Sequence, residues 1–267
     1  MKIHFVGIGG VGMSALAQLH AMSGDTVTGS DRLISKGYTD LALWTYLKNL
    51  GISLFAQDGS GIDEKTELVV LSSAIEDDNP EIKKAKQLGI QIMHRSELLA
   101  KHVATHKTVA VSGTSGKSTT TAMVYDILAF AGLSPSVITG AAILSLQKEQ
   151  GVFGNVYKGE SDILVIEADE SDGSIVKYHP YLGLCLNLRK DHKEINILQD
   201  YFHTFISHCK HAIVNGEEPN LTAISGKAKT FGLTGGDFHP TAIKADGFGS
   251  DFTIQGQEFR LHLPGLH

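Results

Sequence analysis

Residues 108–121 read TVAVSGTSGKSTTT, and this stretch decides how the sequence around it is interpreted. The alternating apolar residues predict a buried strand, the Gly-Thr-Ser-Gly-Lys-Ser segment a tight loop, and the threonines the start of a helix. The backbone N–H groups of such a loop and of a helix N-terminus attract phosphate groups. The stretch therefore predicts a loop that binds a polyphosphate.

The loop fits the short pattern G-x-x-G-K-[ST], because the first glycine of the longer phosphate-loop pattern would fall at Val111. Lys117 would bring a charge to the outer phosphate oxygens, and Ser118 a hydroxyl to Mg²⁺. A Gly-Lys-Ser that merely begins a helix is the alternative, which the strand before it and the helix after it disfavour. The candidate nucleotide-binding residues are Gly113, Thr114, Ser115, Gly116, Lys117, Ser118 and Thr119.

A phosphate-bound Mg²⁺ also requires a carboxylate. The segment DILVIEADESD at 162–172 offers four acids at the end of an apolar strand, and these repel one another unless a cation binds. We favour Glu167, the first of them after the strand, as the ligand. Asp191 and His192 follow another apolar strand, and spacing alone leaves His192 either an ordinary histidine or a metal ligand.

A second glycine-rich turn, HFVGIGGVGMS at 4–14, lies near the N-terminus. Gly7, Gly9 and Gly12 fit G-x-G-x-x-G between a strand and a helix, which is typical of a pyrophosphate site. Asp31, at the end of the next strand, could accept a hydrogen bond from a ribose hydroxyl. A nicotinamide dinucleotide and a nucleotide diphosphate sugar present the same pyrophosphate, so the motif leaves the ligand open.

Short apolar runs alternate with helical patterns as far as residue 105, which favours a parallel sheet covered on both faces. The pattern restarts after residues 105–107, and from Lys229 onward it changes to short strands and turns. We therefore predict an α/β fold in two parts. A Rossmann-like parallel-sheet domain occupies 1–105, and a phosphate-loop ATPase-type α/β domain with a small antiparallel β annex occupies 106–267.

Composition excludes several classes of protein. The net charge of −6, without a basic block, argues against a nucleic-acid partner. No run of about 18 apolar residues suggests a membrane span, and the N-terminus shows no cleavable signal. The two cysteines lie in apolar runs, as expected in a reducing compartment. We expect a soluble cytoplasmic protein, whose oligomeric state the sequence leaves open.

These segments together resemble the Mur ligases, and the resemblance runs through the whole chain in order. The segments that carry it are IHFVGIGGVGMSALA (3–17), LSSAIEDDNPEI (71–82), HRSELLA (94–100), GTSGKSTTT (113–121), EADESDGS (167–174) and NLRKDH (187–192). The resemblance implies an ATP-dependent acid–amino-acid ligase of peptidoglycan precursor synthesis. In the alanine-adding branch, L-alanine is joined to the carboxylate of UDP-N-acetylmuramate through an acyl phosphate, with Mg²⁺ at the ATP.

The resemblance also assigns residues, since it implies that the first domain holds the UDP-sugar and the second holds ATP. It places the UDP diphosphate at Gly9, Gly10, Val11 and Gly12, with Ser72 and Ser73 beside it. It gives Lys117 to ATP, Ser118 and Glu167 to a first Mg²⁺, and His192 to a second; Lys117, Glu167 and His192 are the implied catalytic residues.

Some features depart from the family pattern. Ser115 stands where this branch usually has histidine, and the cations Arg189, Lys190 and Lys193 flank the implied second metal site. The family also continues into a third domain, which is absent from this chain, so we expect the chain to bind its substrates with little or no turnover alone. Two other readings stay open: an NAD-dependent oxidoreductase, and a non-catalytic binder of UDP-sugar cell-wall precursors.

Overall fold

A computed structural model of the chain describes residues 1–150, 153–190 and 193–263. The chain divides into two compact units: the first is Met1–Val109 with Ser118–Glu167, and the second is Ala110–Lys117 with Ala168–His267. The domain boundary near residue 105 stays a prediction. Among the described residues, no helix combines the length and the apolar character that crossing a bilayer requires.

A five-stranded parallel sheet occupies the N-terminal part of the first unit, in the order β3-β2-β1-β4-β5. Its strands are β1 (Lys2–Val6), β2 (Thr26–Asp31), β3 (Ser53–Ala56), β4 (Leu68–Leu71) and β5 (Gln91–His94). The accompanying helices are α1 (Val11–Met22), α2 (Arg32–Ser35), α3 (Ala42–Asn49), α4 (Pro80–Gln87) and α5 (Arg95–Thr105). This confirms the predicted Rossmann-like sheet. The strand order reverses at β1, and ligands of such sheets bind beyond the carboxyl ends of strands at that point.

Seven further strands form a mixed sheet in the order β12-β11-β10-β6-β9-β7-β8. They are β6 (Lys107–Ser112), β7 (Ser136–Ile138), β8 (Val156–Tyr157), β9 (Ile163–Glu167), β10 (Leu182–Cys185), β11 (His211–Asn215) and β12 (Lys229–Phe231). The helices of this region are α6 (Lys117–Phe130), α7 (Leu144–Gln150), α8 (Ile195–His208) and α9 (Pro219–Thr222). Strands β10, β11 and β12 pair in parallel, as do β7 and β9, whereas the short edge strand β8 pairs antiparallel with β7.

The predicted antiparallel annex is present as a three-stranded sheet of β13 (Ala242–Ala245), β14 (Ser250–Ile254) and β15 (Gln257–Leu261). Its predicted start was wrong. The segment that begins at Lys229 is β12, which pairs in parallel with β11 in the larger sheet. A three-residue strand gives too little periodicity to show which sheet it joins.

A buried polar network holds the end of β2 against α4 in the first unit. His4 Nδ1 lies 2.7 Å from Thr28 Oγ1, and its Nε2 lies 3.1 Å from Glu81 Oε1. The Ser30 hydroxyl donates to Glu81 Oε2 at 2.5 Å. The side chains of His4 and Glu81 are both completely buried. The Ser30 carbonyl in turn accepts the N–H groups of Gly7 and Ile8, each at 2.9 Å, so this network supports the glycine turn.

Replacing Glu81 by alanine should lower the free energy of unfolding by about 3–5 kcal/mol, because His4 and Ser30 would be left buried without their acceptor. Urea unfolding followed by circular dichroism measures this. Glu81→Gln should lower the free energy of unfolding by less, since its amide oxygen can still accept a hydrogen bond from the Ser30 hydroxyl. The exposed Glu64 provides the control: equal losses in Glu64→Ala and Glu81→Ala would contradict the role of the network.

Two histidines link α1 to α5. His20 Nε2 lies 3.1 Å from His102 Nε2, and His20 Nδ1 lies 2.7 Å from Asp25 Oδ2. Asp25 also accepts a hydrogen bond from the N-terminal ammonium group at 2.7 Å. The pKa of His102 is lowered to about 4, mainly by burial and also by the nearby charges of His20 and His106, whereas Asp25 opposes them. A hydrogen bond between the two facing Nε2 atoms requires that one of them donates and the other accepts.

Because His102 takes up a proton more readily in the unfolded chain, its contribution to the free energy of unfolding should decrease as the pH drops from about 6.5 to about 4 and should change no further below that range. His102→Gln should remove this part of the pH dependence. Thermal melts of both proteins between pH 4 and pH 7.5 measure the effect. If the melting temperatures of the two proteins changed in parallel across this pH range, His102 would not contribute to the pH dependence of stability.

Candidate functional site

The phosphate loop joins β6 to α6 and requires glycine for two reasons. Gly113 and Gly116 have φ angles of +148° and +81°, which side-chain-bearing residues rarely adopt. A Cβ atom on Gly113 would also lie 3.1 Å from Leu186 Cβ and 3.3 Å from the Asn187 nitrogen. The loop therefore lies directly against the segment that follows β10.

Asn187 fixes the conformation of this loop. Its Oδ1 accepts hydrogen bonds from the Thr114 hydroxyl and the Ser115 N–H, both at 2.9 Å. Its Nδ2 donates to the Ser115 carbonyl at 2.9 Å, and its own carbonyl accepts the Thr114 N–H at 3.2 Å. No sequence motif pointed to this role. The available signal was the position of Asn187, a polar residue just after an apolar strand.

Lys117 is held at the loop by two acceptors within the second unit. Its Nζ donates to the Gly113 carbonyl at 2.8 Å and to Glu170 Oε2 at 3.0 Å. Asp169 Oδ1 is more distant, at 3.9 Å. Glu170 is 4% exposed, and burial raises the pKa of its carboxyl group although Lys117 opposes this. Glu170 is thus the counter-charge of Lys117, a partner that the sequence analysis did not assign.

Glu167 and Ser118 meet in the first unit, as expected of two ligands of one ion. The Ser118 hydroxyl lies 3.0 Å from both carboxylate oxygens of Glu167. Thr139 Oγ1 and the Gly140 N–H donate to Glu167 Oε2 at 2.9 and 2.8 Å. One carboxylate and one hydroxyl fit Mg²⁺, which keeps several waters and takes its other ligands from a substrate phosphate. In the described part of the chain, no three His, Cys, Asp or Glu side chains gather as a protein-only metal cage.

Two of the predicted nucleotide-site residues remain. Thr119 is exposed in the first turn of α6, where it can contact a ligand at the helix N-terminus. His192 and the adjacent Asp191 lie outside the described residues. The second Mg²⁺ at His192 therefore stays a prediction.

The N-terminal glycine turn is held by backbone and carboxylate acceptors. The Gly9 N–H donates to Asp31 Oδ2 at 2.9 Å, and Asp31 Oδ1 caps α2 by accepting the Leu33 N–H at 2.9 Å. A Cβ atom on Gly9 would lie 2.7 Å from Asp31 Oδ2, so only glycine fits there. Both oxygens of Asp31 are thus engaged by the backbone, and its predicted contact with a ribose stays a prediction.

The first turn of α1 leaves its amides open to an anion. The helix begins at Val11 without a side-chain cap at Gly10, and its first internal hydrogen bond runs from the Ser14 N–H to the Gly10 carbonyl at 2.8 Å. The N–H groups of Val11, Gly12 and Met13 precede that bond and have no partner within the helix. Three such donors at a helix N-terminus suit a diphosphate.

Arg95 and Ser72 lie beside this turn. A Cβ atom on Gly12 would be 3.0 Å from Arg95 Nη1, and one on Gly7 would be 3.9 Å from Ser72 Oγ. The structure therefore brings Ser72 to the turn, and the neighbouring Ser73 is exposed. Arg95 was not among the predicted site residues, although it follows β5 at the same carboxyl edge of the sheet.

Comparison with known proteins gives two family matches. Residues 2–107 match the profile described as Mur ligase family, catalytic domain, and residues 111–267 match the Mur ligase middle domain. The chain is 35% identical over 286 residues to a UDP-N-acetylmuramate–L-alanine ligase of Synechococcus sp. (strain RCC307), covering 99% of this chain and 57% of that protein. It is 36% identical over 282 residues to the ligase of the same name from Arthrobacter sp. (strain FB24), covering 100% and 58%.

A solved structure of a similarly named ligase is also similar to this chain. The crystal structure of the UDP-N-acetylmuramate–alanine ligase of Thermotoga maritima superposes with a TM-score of 0.80 at 30% identity, covering 100% of this chain and 62% of that one. The chain therefore spans less than two thirds of the length of each of these relatives.

Asn187→Ala should speed hydrogen exchange at the Ser115 amide, because that amide loses its acceptor. The acceleration should be roughly three- to tenfold, as for the loss of one hydrogen bond. The Thr114 amide, which donates to the Asn187 backbone, should change less and serves as an internal reference. Asn220→Ala is the matched control, since the Asn220 side chain donates to the Leu188 carbonyl instead. Unchanged Ser115 exchange in Asn187→Ala would contradict the fixing role.

Proposed function

The chain belongs to the Mur ligase family, and we propose that it is the UDP-sugar-binding and ATP-binding part of an ATP-dependent ligase. The proposed reaction joins L-alanine to the carboxylate of UDP-N-acetylmuramate. The presence of two separate glycine turns, each leading into a helix N-terminus, carries this proposal. A single dinucleotide would need only the first turn, whereas a reaction between a sugar nucleotide and ATP needs both.

The proposed chemistry requires two anions to approach each other. The muramate carboxylate attacks the γ-phosphorus of ATP, ADP leaves, and an acyl phosphate forms. The amine of alanine then attacks the acyl carbon, and phosphate leaves. Positive charge and oriented N–H donors near the γ-phosphate lower the barrier to the first step.

Lys117 and the loop amides would supply most of what this chain contributes to that step. Without ATP, the Lys117 ammonium pairs with Glu170 and the Gly113 carbonyl. In the proposed complex it exchanges Glu170 for β- and γ-phosphate oxygens. The other loop amides, on a backbone that Asn187 already fixes, donate to the phosphates with little further ordering cost.

Ser118 and Glu167 are the residues that would hold Mg²⁺ at the phosphates. When bound, this ion would neutralise phosphate charge in the transition state. The hydrogen bonds from Thr139 and Gly140 keep the Glu167 carboxylate in one orientation. Such support from neighbouring donors fixes the geometry of a metal ligand before the ion arrives.

The UDP-sugar diphosphate would bind at the start of α1. The amides of Val11, Gly12 and Met13 would donate to its oxygens, and the Arg95 guanidinium beside Gly12 would add a charge-assisted contact. Ser72 lies close enough to the turn to contribute a hydroxyl. An NAD-dependent oxidoreductase is less well supported, because it would leave the Lys117, Ser118 and Glu167 arrangement without a role.

Calorimetric titration of the 267-residue chain tests the two sites separately. Lys117→Gln should weaken Mg·ATP binding about tenfold or more and leave UDP-N-acetylmuramate affinity unchanged. Arg95→Gln should weaken UDP-N-acetylmuramate binding by a similar factor and leave Mg·ATP affinity unchanged. Each variant removes one charge-assisted contact. Lys83→Gln, which removes an exposed charge elsewhere, is the control. The proposal fails if NADH binds while neither UDP-N-acetylmuramate nor ATP does, or if each variant weakens both ligands equally.

A further inference from the structure

A cleft of about 570 Å³ lies in the second unit, away from every residue assigned above. Its lining includes the first residue of each of three parallel strands: Leu182 of β10, His211 of β11 and Lys229 of β12. The phosphate loop follows the carboxyl end of β6, so the cleft lies at the opposite end of the parallel strands. Because of this separation, the cleft is not an extension of the ATP site.

The charged side chains that line the cleft are all basic or can become so. They are Lys210, Lys227, Lys229, His203 and His211. Among the described residues that line it, none is an aspartate or a glutamate. This concentration of positive charge stands out in a chain whose net charge is −6. A concave surface lined by one sign of charge raises the local concentration of ligands of the opposite sign.

The lysines have few internal partners. Within the described ranges, neither Lys210 nor Lys227 forms an ion pair with a carboxylate. Lys229 lies near Asp237, whose pKa is lowered mainly by the hydrogen bonds from Thr230 and to a smaller extent by the charge of Lys229. Lys210 Nζ lies 5.0 Å from the ring centre of Tyr181, and Lys229 Nζ lies 5.6 Å from that of Phe238. Exposed contacts of this kind contribute only about 0.5–1 kcal/mol, so the ammonium groups stay available to an anion.

The remaining lining is mainly apolar. Leu182, Ile206, Ile213 and Phe238 contribute carbon surface to the lining. Small-molecule sites typically have volumes of about 300–1,000 Å³ and combine an apolar floor with a few polar groups. The cleft has that size and that composition, and compact lysine ammonium groups are common phosphate ligands.

We propose that this cleft binds a small phosphorylated molecule, at a site independent of the phosphate loop. Its phosphate is held by Lys210, Lys227 and Lys229, and its carbon skeleton lies on the apolar floor around Phe238. This site does not depend on the proposed ligase function, because it shares no residue with either glycine turn.

Pyrophosphate without Mg²⁺ is the first probe, titrated into the 267-residue chain and followed by calorimetry and by amide chemical shifts. Lys210→Gln/Lys227→Gln should weaken this binding about tenfold or more, because it removes two charge-assisted contacts. The double variant Lys83→Gln/Lys86→Gln removes the same amount of charge from two exposed residues of α4. It should leave pyrophosphate binding unchanged. In Lys117→Gln, shifts at Ala212 and Gly226 should persist, since these residues line the cleft.

Adenosine diphosphate is the second probe, and its titration into Lys117→Gln should give tighter binding than pyrophosphate because the nucleoside reaches the apolar floor. Melting temperatures verify that each variant is folded. If both double variants weakened pyrophosphate binding equally, the effect would reflect only the net charge of the protein, and the proposal would be overturned. Loss of the Ala212 and Gly226 shifts in Lys117→Gln would also overturn it, because all binding would then belong to the phosphate loop.

Discussion

Both glycine turns depend on hydrogen-bond acceptors that neighbouring strand ends supply. A glycine residue loses more conformational freedom on folding than any other residue, and it has no side chain that could fix the backbone. Ser30 and Asp31, at the end of β2, hold the N–H groups of Gly7, Ile8 and Gly9. Asn187, just beyond β10, does the same for the phosphate loop. These bonds use some of the amides and fix the backbone that carries the remaining ones.

This dependence explains why buried polar groups lie so close to the turns. The fully buried pair of His4 and Glu81 fixes the Ser30 hydroxyl, and through Ser30 it fixes the turn. A buried polar network is costly unless every member is satisfied. Such a network lies next to the first glycine turn, where it keeps the backbone ordered. Without it, a ligand would have to order that backbone on binding, which would lower the affinity.

Sequence patterns pointed to candidate-site residues that stand in a motif or follow an apolar strand, and gave no signal strong enough for several others. Lys117 and Ser118 follow from one local motif, and Glu167 follows from its place after an apolar strand. Asn187, Glu170 and Arg95 became visible only when the structure showed which segments lie side by side. The same limit applies to β12, whose three residues could not reveal that their partner is β11. Local periodicity defines an element, but pairing between elements depends on tertiary contacts that no single segment encodes.

The pairing of Lys117 with Glu170 also bears on which ligands the phosphate loop would accept. Any anion that takes the ammonium group must compensate for leaving a buried carboxylate without its partner. Burial already raises the pKa of Glu170, so the displaced carboxylate can be neutralised by a proton more easily than an exposed one. A weakly charged anion gains too little from Lys117 to offset this exchange, whereas a triphosphate contacts the ammonium, the loop amides and the helix N-terminus together. The internal ion pair therefore lowers the affinity for every anion, and it favours those that carry several negative charges.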